Sequence, residues 1–129
     1  MTGDARSLPP APLAGLDVLL VEDEIIIAFM VEDALMEMGC RHIFHTATVA
    51  DALRIIDQHR PHAAVLDVNL GDGTAYPVAE RLHELGIPFV FATGYGLRGL
   101  DPRWVATTVL QKPFDARVLA AALRTALRE

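Results

Sequence analysis

Ala63-Ala64-Val65-Leu66-Asp67-Val68-Asn69-Leu70-Gly71-Asp72-Gly73 is the stretch whose reading decides the fold. Ala63 to Leu66 is a short apolar run, and the residues after Asp67 are rich in glycine. The run reads as a buried strand and the glycine-rich stretch as the loop after it. Asp67 is thereby placed at the C-terminal end of a core strand, where open α/β sheets carry their chemistry. Two other strand ends complement it. Leu19-Leu20-Val21 runs into Glu22-Asp23-Glu24, and Val109-Leu110-Gln111 runs into Lys112-Pro113-Phe114. Together they supply acids to hold a metal, an acid to react and a lysine to steady the product.

Outward from this stretch, apolar strand-like runs alternate with helix-like segments. Strands are expected over Asp17–Val21, Arg41–Ala47, Ala63–Leu66, Pro88–Ala92 and Thr107–Leu110. Between them, Glu24–Met38 reads as a helix closed by Gly39, and Val49–His59 as a helix capped by Thr48. Thr74–Leu85 reads as a helix closed by Gly86, and Asp115 caps a last helix that runs to about Leu127. A β-α repeat of this kind folds as a parallel sheet with helices on both faces. Right-handed crossovers then gather neighbouring strand ends on one edge. Glu22, Asp23, Asp67, Thr93 and Lys112 all fall at such ends. The expected fold is α/β: a doubly wound, five-stranded parallel sheet.

One interval breaks the repeat. Gly94, Gly96, Gly99 and Pro102 lie between the fourth and fifth strands, and these are the poorest helix formers. The fourth helix is expected to be short or irregular, with a turn around Asp101–Val105 in the most mobile part of the core domain. Gly94-Tyr95-Gly96-Leu97-Arg98-Gly99 spells G-x-G-x-x-G. A dinucleotide site would need a helix opening from that motif after the first strand, whereas here Asp101-Pro102 follows the fourth. The segment reads as a switch loop.

Composition narrows the class. A chain of 129 residues, 52% hydrophobic and 22% charged, forms one globular domain with a proper core. Seventeen acids against 11 Lys and Arg give a net charge of -6, which disfavours nucleic-acid binding through a basic face. The single cysteine, Cys40, cannot form an internal disulfide and fits a reducing, cytoplasmic compartment. None of the five histidines has a ligand partner at i+4, so a histidine metal site is not expected. The apolar stretch Val18–Met38 is cut by Glu22, Asp23 and Glu24, so no membrane span is expected. Residues 1–15 carry Pro9, Pro10 and Pro12 and lack the pattern of a signal peptide; they read as a flexible tail before a domain at 16–129.

With these residues in place, the chain resembles the receiver domain of bacterial two-component response regulators, of flavodoxin-like fold. The resemblance rests on Val18–Glu24, Ala64–Asp67, Phe91-Ala92-Thr93-Gly94 and Gln111–Phe114, four pieces in the right order at matching strand ends. It covers the chain from about Leu16 onward. Phe-Ala-Thr-Gly-Tyr-Gly at residues 91–96 resembles a receiver subfamily, often stand-alone, of alphaproteobacterial signalling.

The resemblance implies roles. Asp67 is the phosphoacceptor, attacking a phosphohistidine in line to become an aspartyl phosphate. Glu22, Asp23, Asp67 and the backbone carbonyl of Asn69 hold Mg²⁺ (or Mn²⁺), which suits a few protein oxygens completed by water and phosphate. Lys112 pairs with the phosphoryl oxygens, and its bond to Pro113 is often cis. Thr93 bonds the new phosphoryl group and draws its loop inward. Most receivers carry an aromatic residue three positions before the lysine; here it is Val109, so Tyr95 or the glycine loop would carry the change. Asn69 and Tyr95 flank the phosphoryl site, and Tyr95 is expected to shield it from water. Gly71 replaces a proline common in that loop.

The first helix is more apolar than one face can bury. Ile27, Val31, Ala34, Leu35 and Met38 fit a core stripe, leaving Ile25, Ala28 and Glu32 pointing partly outward. Either this is a broad helix–sheet contact, or Ile25 and Ala28, with Pro113 and Phe114, form the surface that receivers offer to a kinase's phosphohistidine helices.

The function expected is a single-domain response regulator. It takes its phosphoryl group from a sensor histidine kinase or histidine phosphotransfer protein. It signals by contact with a downstream protein as adaptor, relay intermediate or phosphate sink, without nucleic acid or membrane. An enzyme of the Asp-nucleophile phosphatase type would need a second acid two residues on, where Asn69 stands. A receiver-like binding module that is never phosphorylated is the other alternative.

Overall fold

Val18 and Leu20 turn to one face of the sheet and Leu19 and Val21 to the other, because successive side chains of a strand alternate. The computed structural model describes residues 12–71, 73–94, 100–104 and 106–128. Its main sheet contains β1 (Asp17–Val21), β2 (His42–Thr46), β3 (Ala63–Asp67), β6 (Phe89–Thr93) and β7 (Val109–Gln111). They are parallel throughout, in the order β2-β1-β3-β6-β7. α1 (Ile25–Glu37) and α4 (Ala116–Arg128) cover one face, and α2 (Val49–His59) and α3 (Tyr76–Glu84) the other. The doubly wound, flavodoxin-like sheet expected from the repeat is the one observed. β3, flanked on both sides and covered on both faces, is buried at every residue, so its sequence is a continuous apolar run and not an alternation.

Local signals set most boundaries. The Thr48 hydroxyl accepts from the Asp51 amide at 3.2 Å and starts α2. The Asp115 carboxylate accepts from the Val118 amide at 3.0 Å and starts α4. Gly39 and Gly86 take positive φ (87° and 71°) just past α1 and α3, as helix-ending glycines do.

The structure corrects three expectations and bears out a fourth. The third helix begins at Tyr76, not Thr74, because Gly73–Thr74 (β5) pair antiparallel with Asn69–Leu70 (β4) in a small ribbon. Leu13 is not part of a free tail, while residues 1–11 of the expected tail lie outside the described residues. Leu13 is fully buried in the core under α1 and α4, and its amide donates to the Met38 carbonyl at 3.0 Å. Ala28 does not face outward. It is fully buried and shares the core face of α1 with Val31, Ala34 and Leu35, while Ile27 is only half-buried at its margin. Val31, Ala34, Leu35 and Met38 of the expected stripe are buried as expected, so the stripe is widened to take in Ala28 rather than displaced. Finally, the chain between β6 and β7 has no α-helix among its described residues. It makes one 3₁₀ turn at Pro102–Trp104, in keeping with a short or irregular fourth helix.

Candidate phosphoryl-transfer site

Glu22 follows β1, Asp67 ends β3, Thr93 ends β6 and Lys112 follows β7, so parallel register alone brings four chemically different groups to one edge. The Lys112 ammonium lies 2.9 Å from Glu22 Oε1, 3.3 Å from Asp67 Oδ2 and 3.7 Å from Glu24 Oε1. Glu22 is 3% exposed and Asp67 5%. The backbone holds the rest of the frame. The Asn69 amide donates to Asp67 Oδ1 at 3.3 Å, and the Glu24 amide to Glu22 Oε2 at 3.1 Å. The Lys112 amide donates to the Thr93 carbonyl at 2.8 Å, which ties the lysine to the threonine's strand end. The Lys112–Pro113 bond is cis.

Electrostatics follow from this packing. Burial, then the charge of Glu22, pushes the Asp67 carboxyl up to about 7, against the downward pull of Lys112. For Lys112, burial alone would lower the pKa. Hydrogen bonding to Glu22 and the charges of Asp67 and Glu22 outweigh it, and the ammonium ends above its ordinary value. One ammonium thus serves two buried carboxylates and a third nearby. The remaining negative charge is met by a proton on Asp67 or by a cation.

Among the described residues, carboxylate oxygens of Glu22, Glu24 and Asp67 lie within 4.8 Å of one another and could hold a metal ion. Hard oxygen donors in that number suit Mg²⁺ or Mn²⁺. Glu24 belongs to the acidic run after β1 read from the sequence, but the ligand set implied by the resemblance left it out in favour of Asp23. Its signal was the spacing to Glu22, which turns both side chains toward Lys112. Asp23 is exposed, and its Oδ2 points toward Gly71: a Cβ at that glycine would lie 3.4 Å from it. Thr93 is buried at the strand end as expected. Val109 is half-buried on β7, in register with Phe91. Tyr95 and the other residues of the glycine motif from Gly96 to Gly99 lie outside the described residues, as does Asp72.

Beside this edge, α1 and the start of α4 enclose a groove of about 710 Å³ lined by Ile27, Met30, Val31, Pro113, Phe114 and Leu119. Ile25 (65% exposed), Ile26, Phe29 and Met30 are exposed on α1, and of these Met30 lines the groove. Of the four expected docking residues, Ile25 is exposed on α1, while Pro113 and Phe114 line the groove; Ala28 is not at the surface.

A parallel five-stranded sheet that gathers buried acids and a lysine on its C-terminal edge defines a receiver-type module. The chain belongs to the response regulator receiver domain family, whose model matches residues 18–124. It is similar to SdrG from Sphingomonas melonis, with 43% identity and a TM-score of 0.79 over 92% of this chain and 98% of that one. It is 35% identical over 96 residues to the methanogenesis regulatory protein FilR1 of Methanothrix harundinacea, matching 66% of this chain. The chain spans 22% and 52% of the lengths of the first two curated relatives it matches. The receiver domain of the sensor histidine kinase PA1611 from Pseudomonas aeruginosa shares the fold, at 24% identity and a TM-score of 0.78 over 90% of this chain and all of that one. In that protein a magnesium ion is coordinated in the active site cleft.

Proposed function

We propose that the protein is a single-domain response regulator in which Asp67 takes a phosphoryl group from the phosphohistidine of a sensor kinase or histidine phosphotransfer protein. The observation that carries this reading is the Lys112 ammonium set between Glu22 and Asp67. A carboxylate nucleophile needs nearby positive charge to receive a phosphoryl group, and acids around it to hold a divalent cation. Asp67 Oδ1, fixed by the Asn69 amide, leaves Oδ2 on the lysine side. In the step, an Asp67 oxygen forms the new P–O bond as the P–N bond to the donor imidazole breaks, and the electron pair leaves with the imidazole. Lys112 turns from the carboxylate to a phosphoryl oxygen, and the Thr93 hydroxyl donates to another.

Glu22, Asp23, Asp67 and the Asn69 carbonyl would hold Mg²⁺ or Mn²⁺, with Glu24 close enough to bind its water shell or to replace Asp23. When bound, the ion neutralises charge on the transferring phosphoryl group. The groove between α1 and α4, together with exposed Ile25 on α1, is the surface we assign to the donor's helices. Output passes to a downstream protein by contact, in the cytoplasm. No helix among the described residues is long and apolar enough to cross a membrane. The Phe91–Gly96 motif supports placing the chain with stand-alone receivers of the alphaproteobacterial type.

The test is intact-mass measurement after incubation with Mg²⁺ and acetyl phosphate. A single phosphoryl adduct on the wild type and none on Asp67→Asn is expected. If the wild type takes none from acetyl phosphate or from a phosphorylated kinase, the chain is a binding module.

A further inference from the structure

We propose that Tyr76 is a positioning residue that couples the phosphoryl site to the segment between β6 and β7, a role that rests on Asp67 being the phosphoacceptor. The Tyr76 hydroxyl accepts a hydrogen bond from the Asp101 amide at 2.8 Å, joining residues 25 apart in the chain. Asp101 in turn builds the 3₁₀ turn. Its carboxylate accepts from the Arg103 amide at 2.9 Å, and its carbonyl from the Trp104 amide at 2.9 Å. Tyr76 therefore sets Asp101, and Asp101 sets Trp104.

The aromatic packing runs back to the site. Phe89, Phe91 and Thr93 alternate along β6 and share one face. The Phe91 ring meets Tyr76 edge-on at 6.0 Å and Trp104 at 5.9 Å. Trp104 is buried among them. Val109 pairs with Phe91 across β7 and packs partly into the same cluster, but brings no ring. Among the described residues, Tyr76 and Trp104 are the rings from outside β6 that meet Phe91.

Tyr76 is also tied to both loops that leave the site. It follows Ala75, whose amide donates to the Val68 carbonyl at 2.9 Å, one residue past the phosphoacceptor. Through Asp101 it holds the far end of the chain that leaves Thr93, with only residues 95–99 between Gly94 and Leu100. A displacement of Thr93 toward a phosphoryl group on Asp67 is passed through Phe91, two residues back on the same face of β6, to the Tyr76 and Trp104 rings and so to the turn that the Tyr76 hydroxyl anchors. Breaking or shifting this bond reorients Trp104.

Trp104 is the chain's single tryptophan and reports on the turn directly. The experiment measures Trp104 emission and amide exchange at Asp101 in the full chain, with Mg²⁺, before and after acetyl phosphate. Adduct occupancy is followed in parallel by intact mass. In the wild type, phosphorylation is expected to shift the emission and to speed exchange at Asp101 at least tenfold. Tyr76→Phe keeps the ring and removes the hydroxyl. It should take up phosphate to the same occupancy, begin at least halfway to the phosphorylated wild-type emission, and respond with less than half the wild-type amplitude. A static clip would alter melting without moving that amplitude. Wild-type emission and full amplitude in Tyr76→Phe overturn the coupling. An adduct on the wild type with no change at Trp104 and Asp101 overturns it too, and leaves the phosphoacceptor reading standing. No adduct at all removes both.

Discussion

Lys112 reaches past the end of β6 to place its ammonium 3.3 Å from the Asp67 carboxylate at the end of β3. The same ammonium is 2.9 Å from Glu22, so one cation is shared by two acids that are both almost wholly buried. Most of the expected behaviour of the site follows from that imbalance.

Removing the cation should unmask two buried carboxylates. Lys112→Met is expected to lose about 3 kcal/mol of stability at pH 8, the range for breaking a buried ion pair from one side. The loss should shrink at pH 5, where a proton on Asp67 takes over part of the ammonium's task. Urea denaturation at the two pH values measures it; an equal loss at both would show that the alkyl stem, not the charge, matters.

Asp67→Asn should act in the opposite direction. The folded protein raises the Asp67 carboxyl from 3.8 to about 7, so the fold binds that proton more tightly than the unfolded chain does. The stability it contributes is complete below pH 3.8 and is lost as pH rises through 7. Asparagine does not titrate. Without divalent cation, Asp67→Asn is therefore expected to exceed the wild type by on the order of 1–2 kcal/mol at pH 8, after allowance for the coupled charges. The difference should close toward pH 4. A pH-independent difference would mean that shape and not charge separates the two.

Mg²⁺ competes with the Asp67 proton for the same oxygens. Its stabilisation of the wild type, read as a thermal shift, should be several-fold weaker at pH 6 than at pH 8 and absent in Glu22→Gln. Asp23→Asn is expected to cost at least tenfold in Mg²⁺ affinity and Glu24→Gln less. The reverse order would make Glu24, which the fold brings beside Glu22 and Asp67, the ligand in place of Asp23.

Ile25 is 65% exposed at the start of α1. Ile25→Glu should reduce kcat/KM for transfer from a phosphorylated kinase about tenfold, equivalent to ~1.4 kcal/mol of docking. The acetyl phosphate rate should stay the same. Equal slowing with both donors would place the effect in the site itself.

Ala28 is fully buried in the core cluster under α1. Ala28→Leu should destabilise by about 1–3 kcal/mol through overpacking. A solvent-facing alanine would tolerate the change, so chemical denaturation separates the observed burial from the outward position the sequence suggested.

That misplacement of Ala28 is instructive. α1 is apolar nearly all round, so its pattern carries almost no directional signal, and whether Ile27 or Ala28 completes the buried stripe is invisible until the sheet selects a face. α2 and α4 have clear polar sides, and Thr48 and Asp115 mark their starts in the sequence alone. The ribbon at Asn69–Thr74 gave no warning, because two-residue strands have no periodicity to read. Leu13 was hidden among prolines that read as tail; only its contact with the Met38 carbonyl and the core under α1 makes it part of the domain.

Sequence alone determined the parallel sheet and that Glu22, Asp67, Thr93 and Lys112 fall at its strand ends. Alternating β and α segments place every strand's C-terminal end on one edge, whatever the packing details. Only the tertiary structure decided how charge is shared there, that Glu24 joins Glu22 and Asp67, and that Tyr76 and Trp104 stand where Val109 brings no ring. Those outcomes depend on distances between side chains remote in sequence, set by helix rotation and loop path, which local pattern does not encode.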